Sequence, residues 1–134
     1  MSADATTPVQ ANGRGTQIAK LTVYHLSRLV FTETALTGAA LEVRSDVEKF
    51  EITDRARIEE TIERIDRVAT APTDDVCDAR WGLVFSDAAG ARLRSFYLDR
   101  FGTTGELDGA AVSLPDESLI DWLREQYGPD GVLA

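Results

Sequence analysis

The chain has 134 residues, of which 43% are hydrophobic and 28% charged, and its formal net charge is −9. These proportions are typical of one folded domain with a buried core, and they exclude a chain that is disordered throughout. No apolar run approaches the roughly 20 residues that a membrane-spanning helix needs. The first residues lack the basic start and apolar core of a signal peptide, and Cys77 is the only cysteine. We therefore expect a cytoplasmic protein without disulfides.

The negative charge is concentrated in the last quarter of the chain. Residues 101–134 contain seven acidic side chains and one basic one, Arg124, whereas residues 1–100 contain 16 acidic and 13 basic side chains. Because phosphates bind through Lys and Arg, this charge disfavours nucleic acids and anionic membranes as partners. It favours a basic protein partner, whose approach an acidic surface accelerates. An acidic surface that serves only solubility is the alternative.

The first third of the chain predicts a tail followed by short strands. Residues 1–15 are small and polar, without periodicity, and predict a disordered tail. Ile18–Tyr24 alternates between two faces and predicts a strand. Residues 29–37 are rich in Thr, Val and Phe and predict a second strand, or the continuation of one long bent strand. After an ambiguous stretch, Val47–Thr53 alternates again and predicts a short strand.

A helix is predicted from Asp54 to Ala69, because Ile58, Ile62, Ile65 and Ala69 recur at helical spacing. Thr53 or Asp54 can cap its first turn. A loop over residues 70–78 follows, with Pro72 ending the helix. Three ion pairs between residues four apart are expected on the solvent side: Arg55–Glu59, Glu60–Arg64 and Glu63–Arg67.

A hairpin and a meander are predicted next. Trp81, Leu83 and Phe85 alternate on one face, residues 86–90 form a loop, and Leu93–Leu98 returns as a strand. This returning strand is apolar on both faces, which indicates a central position. The glycine-spaced residues 101–114 predict a tight meander with a turn at Asp108–Gly109.

The last predicted helix begins at Pro115 and ends before Gly128 and Pro129. On a helical wheel the buried arc consists of Leu119, Ile120, Leu123 and Tyr127. An acidic line of Glu117, Asp121 and Glu125 lies on the opposite side, and Trp122 stands at the border between the two.

The order of these elements predicts an α+β fold. We expect residues 16–134 to form a single domain, with a mainly antiparallel sheet of four to six strands and two helices packed on one face.

No catalytic, cofactor or metal motif emerges from the sequence. Asp74, Asp75 and Asp78 form the DDxxD pattern of terpene synthases, but they follow Pro-Thr in a predicted loop rather than on a helix. The single thiol, Cys77, and the single imidazole, His25, could form a dyad only if they met in space. The neighbouring Asp75 and Asp78 should raise the pKa of that thiol and oppose its ionisation. We therefore predict no catalytic residue, no metal and no cofactor.

The first functional hypothesis is a non-catalytic interaction protein. An aromatic side chain bordered by carboxylates is typical of a surface that binds an Arg- or Lys-rich partner. In size, charge and α+β outline the chain resembles small bacterial immunity proteins, which implies an inhibitor that occludes a basic toxin or enzyme. The predicted partner-binding residues are Glu106, Asp108, Glu117, Asp121, Trp122 and Glu125.

Two other hypotheses stay open. One is a small-molecule-binding or enzymatic domain with a pocket between the sheet and the helices near His25, for which Tyr24, Arg28, Arg92 and Arg94 are the other residues to examine. The other is a structural or assembly subunit, for example one that dimerises through a sheet edge.

Overall fold

The computed structural model describes residues 18–27 and 30–127, so the predicted tail over residues 1–15 lies outside the described residues. The described ranges contain seven strands and three helices. In chain order they are β1 (Lys20–His25), α1 (Gly38–Glu42), β2 (Glu48–Ile52), α2 (Arg55–Arg67), β3 (Ala71–Pro72), β4 (Trp81–Ser86), β5 (Arg92–Leu98), β6 (Thr104–Leu107), β7 (Ala110–Ser113) and α3 (Ser118–Tyr127).

All seven strands belong to one antiparallel sheet, in the order β2-β1-β4-β5-β6-β7-β3. The predicted hairpin is confirmed as β4 and β5, and β5 occupies the centre of the sheet. The predicted meander is confirmed as β6 and β7, whose turn places Asp108 at φ 50° and Gly109 at φ 92°. Two consecutive residues with positive φ are the geometry of a tight two-residue hairpin turn.

The sheet has two covered faces because its strands alternate apolar residues on both sides. Leu21, Leu83 and Phe96 belong to the larger core cluster, together with buried residues of α2 and α3. Tyr24 and Tyr97 point to the opposite face, where they pack with residues of α1 and of the adjoining loops. We refer to these as the first face and the second face.

The α+β class is confirmed, but the expected numbers of elements were too low. The sheet has seven strands rather than four to six, because the predicted loop over residues 70–78 contains the two-residue strand β3. There are three described helices rather than two. The additional helix, α1, lies in the stretch that the sequence left ambiguous, and it packs on the second face through Leu41.

The strand predicted over residues 29–37 is wrong within the part that the structure describes. Residues 30–37 form neither helix nor strand. Some of their backbone groups bond to side chains instead: the Leu36 N–H donates to a carboxylate oxygen of Asp78 at 2.8 Å, and Arg80 donates to the Val30 carbonyl at 3.0 Å. Side chains from a distant segment thus take the place of a neighbouring strand.

Helix α2 agrees with its prediction except at its C-terminal end. Asp54 caps it by accepting a hydrogen bond from the Arg57 N–H at 3.1 Å. The helix ends at Arg67, so Ala69 lies beyond it and is exposed rather than part of the apolar stripe. Two predicted ion pairs form, Arg55–Glu59 at 3.9 Å and Glu63–Arg67 at 2.8 Å. The third predicted pair does not, since the Arg64 guanidinium lies over the Trp122 ring instead, 5.1 Å from its centroid.

Helix α3 begins at Ser118, three residues later than predicted. The preceding Pro115, Asp116 and Glu117 are bends, and the Asp116 carboxylate accepts a hydrogen bond from the Ser118 N–H at 3.0 Å. The predicted buried arc is confirmed, and Trp122 is buried with it. The proposed stop at Gly128 and Pro129 lies outside the described residues.

Candidate functional site

Three irregular segments meet at the end of the sheet where β1 and β5 end and β4 begins. A backbone hydrogen bond joins two of them, from the Ala79 N–H to the Leu36 carbonyl at 2.9 Å, and another, from the Arg80 N–H to the Leu98 carbonyl at 2.8 Å, holds the second segment to the end of β5, where the third begins. We call this region, formed by residues 30–37, 73–80 and 99–103, the loop end. Loops held on a rigid sheet in this way are common positions for binding residues.

A buried arginine holds the loop end together. The Arg80 side chain is 1% exposed, and its Nη1 donates to Asp78 Oδ1 at 2.7 Å. Its Nη2 donates to the Val30 carbonyl, and the same Asp78 oxygen accepts the Leu36 N–H. The Arg80 Nε has no hydrogen-bond partner among the described residues. A charge buried this deeply is tolerated only when it is paired, so Asp78 and Arg80 fix the position of residues 30–37.

The loop end exposes two large aromatic side chains that the sequence did not single out. Phe31 is 76% exposed and Phe101 is 62% exposed. The Arg100 guanidinium lies 4.5 Å from the centroid of the Phe31 ring. Arg124 of α3 donates a hydrogen bond to the Arg100 carbonyl at 3.0 Å, which places this turn beside α3. These two rings are therefore accessible to a partner that approaches the loop end.

The predicted acidic line is exposed along α3 and its N-terminal flank. Glu117, Asp121 and Glu125 are all solvent-accessible, and we call them the α3 acidic face. Asp121 lies 3.5 Å from Arg124. Glu117 and Glu125 make no ion pair with any residue in the ranges 18–27 and 30–127. Two of the three carboxylates are therefore uncompensated by a neighbouring cation.

Trp122 does not border this face in the way that the helical wheel predicted. The residue is 8% exposed, Arg64 of α2 covers its ring, and its other aromatic neighbour is Tyr127, 6.5 Å away edge-on. Trp122 also contributes to a groove of about 300 Å³ between α2 and α3, with Val68 and Leu119. The wheel could not show this burial because the covering side chain comes from a different helix.

The structure does not bring Glu106 and Asp108 to the α3 acidic face. Glu106 lies opposite Tyr97 across the β5–β6 pair and therefore shares the second face, whereas α3 covers the first. The Asp108 carboxylate accepts hydrogen bonds from the Ser95 N–H at 3.0 Å and from Arg94 Nε at 3.4 Å. These bonds fix the β6–β7 turn onto β5, a structural role for Asp108.

The residues proposed for a pocket near His25 are divided between the two faces. Nδ1 of His25 lies 2.9 Å from a Glu48 carboxylate oxygen, and its ring lies 4.4 Å from that of Trp81, a residue of the first-face core. Arg94 is also on the first face, paired with Asp66 of α2 at 3.1 Å.

Tyr24 and Arg92 lie on the second face. Arg92 bonds there to the Tyr97 hydroxyl at 3.1 Å and to Glu42 of α1 at 2.7 Å, and the Tyr97 hydroxyl also donates to Glu42. Arg28 lies outside the described residues. The structure therefore does not assemble the proposed group, and a pocket near His25 stays a prediction.

Cys77 sits in an environment that suppresses its reactivity. Burial raises the pKa of the thiol to about 12, with further contributions from the negative charges of Asp99, Glu106 and Asp78. The direction agrees with the sequence-based expectation, but desolvation is the main cause and Asp75 is not among the contributors. The Sγ atom lies 3.7 Å from the Thr104 carbonyl, which can accept its proton in a hydrogen bond.

In the part of the chain that the structure describes, no group of three His, Cys, Asp or Glu side chains is arranged to hold a metal ion. The DDxxD residues separate: Asp74 and Asp75 are exposed in a loop, while Asp78 pairs with Arg80.

The chain matches no protein-family model, and neither the curated proteins nor the solved structures contain a match to it. Among the described residues, no helix has the length and apolar character needed to cross a bilayer.

Native Cys77 should react slowly with iodoacetamide. With a pKa of about 12, about one thiol in ten thousand is ionised at pH 8, against about a quarter in the unfolded chain. We expect alkylation at pH 8 to be about a thousandfold slower in native protein than in urea, and to accelerate as the pH rises. Mass spectrometry of the alkylated fraction over time measures both rates. Equal rates would show that the thiol is not buried as described.

Asp78→Asn should destabilise the fold by about 2–3 kcal/mol, because the buried Arg80 guanidinium would lose its counter-charge while the Leu36 N–H kept an acceptor. The exposed Asp75→Asn is the control and should change the free energy of unfolding by about 0.5 kcal/mol or less. Urea denaturation followed by tryptophan fluorescence compares the two. If both variants unfold at the wild-type midpoint, Asp78 and Arg80 do not hold the loop end.

Proposed function

We propose that this chain is a non-catalytic interaction protein that binds a basic protein partner on the α3 acidic face. The observation that carries this proposal is the exposure of Glu117 and Glu125 without a compensating cation in the described ranges. Uncompensated surface carboxylates attract a positively charged partner over distances of about the Debye length, 8–10 Å. Pairing with an incoming Arg or Lys also releases more electrostatic free energy at such a carboxylate than at one that already has a cationic partner.

The exposed face of α2 provides the contrast. Its acidic residues are largely neutralised within the protein: Glu59 and Glu63 pair with arginines of the same helix, and Asp66 pairs with Arg94 of β5. Two neighbouring helices thus differ in how their surface charge is used. The excess negative charge of the last quarter of the chain is available to a partner mainly on α3.

The loop end supplies the apolar contact that electrostatic capture alone lacks. Binding energy at protein interfaces concentrates in a few large side chains surrounded by polar ones. Phe101 is exposed next to Arg100, whose carbonyl is bonded to Arg124 of α3. In this proposal Phe101 takes the role that the sequence analysis gave to Trp122.

The mechanism that fits this surface is occlusion. Carboxylates of α3 would pair with cationic side chains that the partner uses for its own substrate, and Phe101 would fill an adjacent apolar site. No group of this chain undergoes a chemical change in such a mechanism, and affinity falls as salt screens the charges. An immunity-type or other inhibitor of a basic toxin or enzyme would act in this way.

The test compares two triple variants with the same change in charge. One is Glu117→Gln/Asp121→Asn/Glu125→Gln on α3, and the control is Glu59→Gln/Glu60→Gln/Glu63→Gln on α2. Each tagged protein captures partners from a lysate of the source organism at about 50 and 500 mM salt, with mass spectrometry as the readout.

We expect a basic protein to be captured by wild type and by the α2 variant at low salt. The α3 variant should retain at most about a tenth of it, and high salt should release it. Phe101→Ser should lower the yield by about tenfold, whereas Val43→Ser, at an apolar residue that is even more exposed and directly follows α1, should leave it unchanged. Equal loss in the two triple variants, or full capture by the α3 variant, would overturn the proposal.

A further inference from the structure

The two edges of the sheet differ in their capacity to accept another strand. One edge is β3, which has two residues and includes Pro72, a residue that cannot donate a backbone hydrogen bond. The other edge is β2, which has five residues and no proline. No strand in the described part of the chain pairs with the outer side of β2. The outer backbone groups of β2 can therefore pair with a further antiparallel strand, and its charged side chains restrict that strand to one with complementary charges.

We propose that a second copy of this chain pairs with the outer edge of β2, antiparallel and around a twofold axis that passes beside Phe50. The two seven-stranded sheets would then continue into one another. This proposal concerns β2 and its groove, and it does not depend on the α3 acidic face.

The side-chain pattern of β2 selects the register. Residues directly opposite in an antiparallel pair share a face of the sheet, so a twofold axis perpendicular to the sheet must pass beside a residue that faces its own copy. An axis at Lys49 would oppose two lysines, and an axis at Glu51 would oppose two glutamates. The axis at Phe50 instead opposes Lys49 to Glu51 of the second copy, twice by symmetry. Opposite charges across a strand pair are stabilising, and like charges are destabilising.

The charged side chains of β2 are placed to make these contacts. Lys49 is exposed and its Nζ lies 5.9 Å from the centroid of the Tyr24 ring, without a carboxylate partner among the described residues. Glu51 lies 3.4 Å from Lys20, and about half of its side-chain surface remains exposed. Both point to the second face, so a second copy would meet them side by side.

On the first face, the same edge has a groove that the second Phe50 can occupy. Its volume is about 290 Å³, and its lining includes Phe50, Ile52, Arg57 and Tyr127. In the proposed register the Phe50 residues of the two copies lie directly opposite each other, with Cα atoms about 4.5–5.5 Å apart. Each ring would therefore extend beside the groove of the other copy, where Phe50 is now only partly buried.

The charge of the chain gives this dimer a weak salt dependence. Salt screens the repulsion between two copies with a net charge of −9, but it also screens the attraction of the Lys49–Glu51 pairs, so the two effects oppose each other and the association should depend little on salt. Capture of a basic partner on α3, by contrast, weakens as salt is added. The failure of one proposal is therefore distinguishable from the failure of the other.

The test is analytical ultracentrifugation of the full chain at about 0.15 M salt. Wild type should sediment in a concentration-dependent way towards twice the monomer mass of 14.6 kDa. Lys49→Glu places glutamates opposite Glu51 of the second copy, and Glu51→Lys places lysines opposite Lys49. Each variant alone should raise the dissociation constant by at least about tenfold. Circular dichroism verifies that both variants keep the wild-type fold.

Mixing the two variants gives the decisive result. A Lys49→Glu copy and a Glu51→Lys copy oppose unlike charges at both positions, so their equimolar mixture should dimerise at least as tightly as wild type. A dimer that resists both single substitutions, or a mixture that stays monomeric, would overturn the proposed register. A wild-type chain that stays monomeric up to about 1 mM, where even weak dimers form, would overturn the dimer itself.

Discussion

The burial of the Arg80 guanidinium is the interaction on which the geometry of the loop end depends. Removing such a charge from water costs several kcal/mol, which the surrounding groups must offset. Here the Asp78 carboxylate and two backbone carbonyls, those of Val30 and Ala79, do so. Because these acceptors belong to different segments, the requirement to satisfy one side chain determines where residues 30–37 run. The exposed position of Phe31 follows from that constraint.

The two long helices cover the same face of the sheet but use their outer surfaces differently. On α2 most charges have partners within the protein, and the Arg64 guanidinium makes a cation–π contact with the Trp122 ring. On α3 the single arginine bonds to a carbonyl of the neighbouring turn as well as to Asp121. The remaining carboxylates face solvent, so the excess negative charge is concentrated on this part of the surface rather than spread evenly over it.

The sequence predicted the elements whose residues repeat at a regular spacing. Helix α2, the β4–β5 hairpin, the Asp108–Gly109 turn and the buried arc of α3 all follow from local patterns. The sequence-based prediction failed where contacts with distant residues determine the local structure. Residues 29–37 carry strand-forming side chains, yet the Val30 carbonyl and the Leu36 N–H bond to the side chains of Arg80 and Asp78, more than 40 positions later.

The positions of the candidate site residues were also predicted only in part. The acidic line of α3 is exposed as its spacing indicated. Trp122 is covered by a side chain of another helix, and Glu106 faces the other side of the sheet. Phe101 stands in a turn without periodicity, so no pattern could have marked it as an exposed aromatic.

The order of the strands has a further effect during synthesis: β1 lies between β2 and β4, and β4 begins at Trp81, well into the second half of the chain. A two-stranded β1–β2 unit is marginal by itself, even with α2 packed on it, because β4, β5 and α3 supply most of the core around Leu21 and Val23. The amino-terminal half therefore cannot mature ahead of the carboxyl-terminal half, and the nascent polypeptide must stay unaggregated until translation is nearly complete.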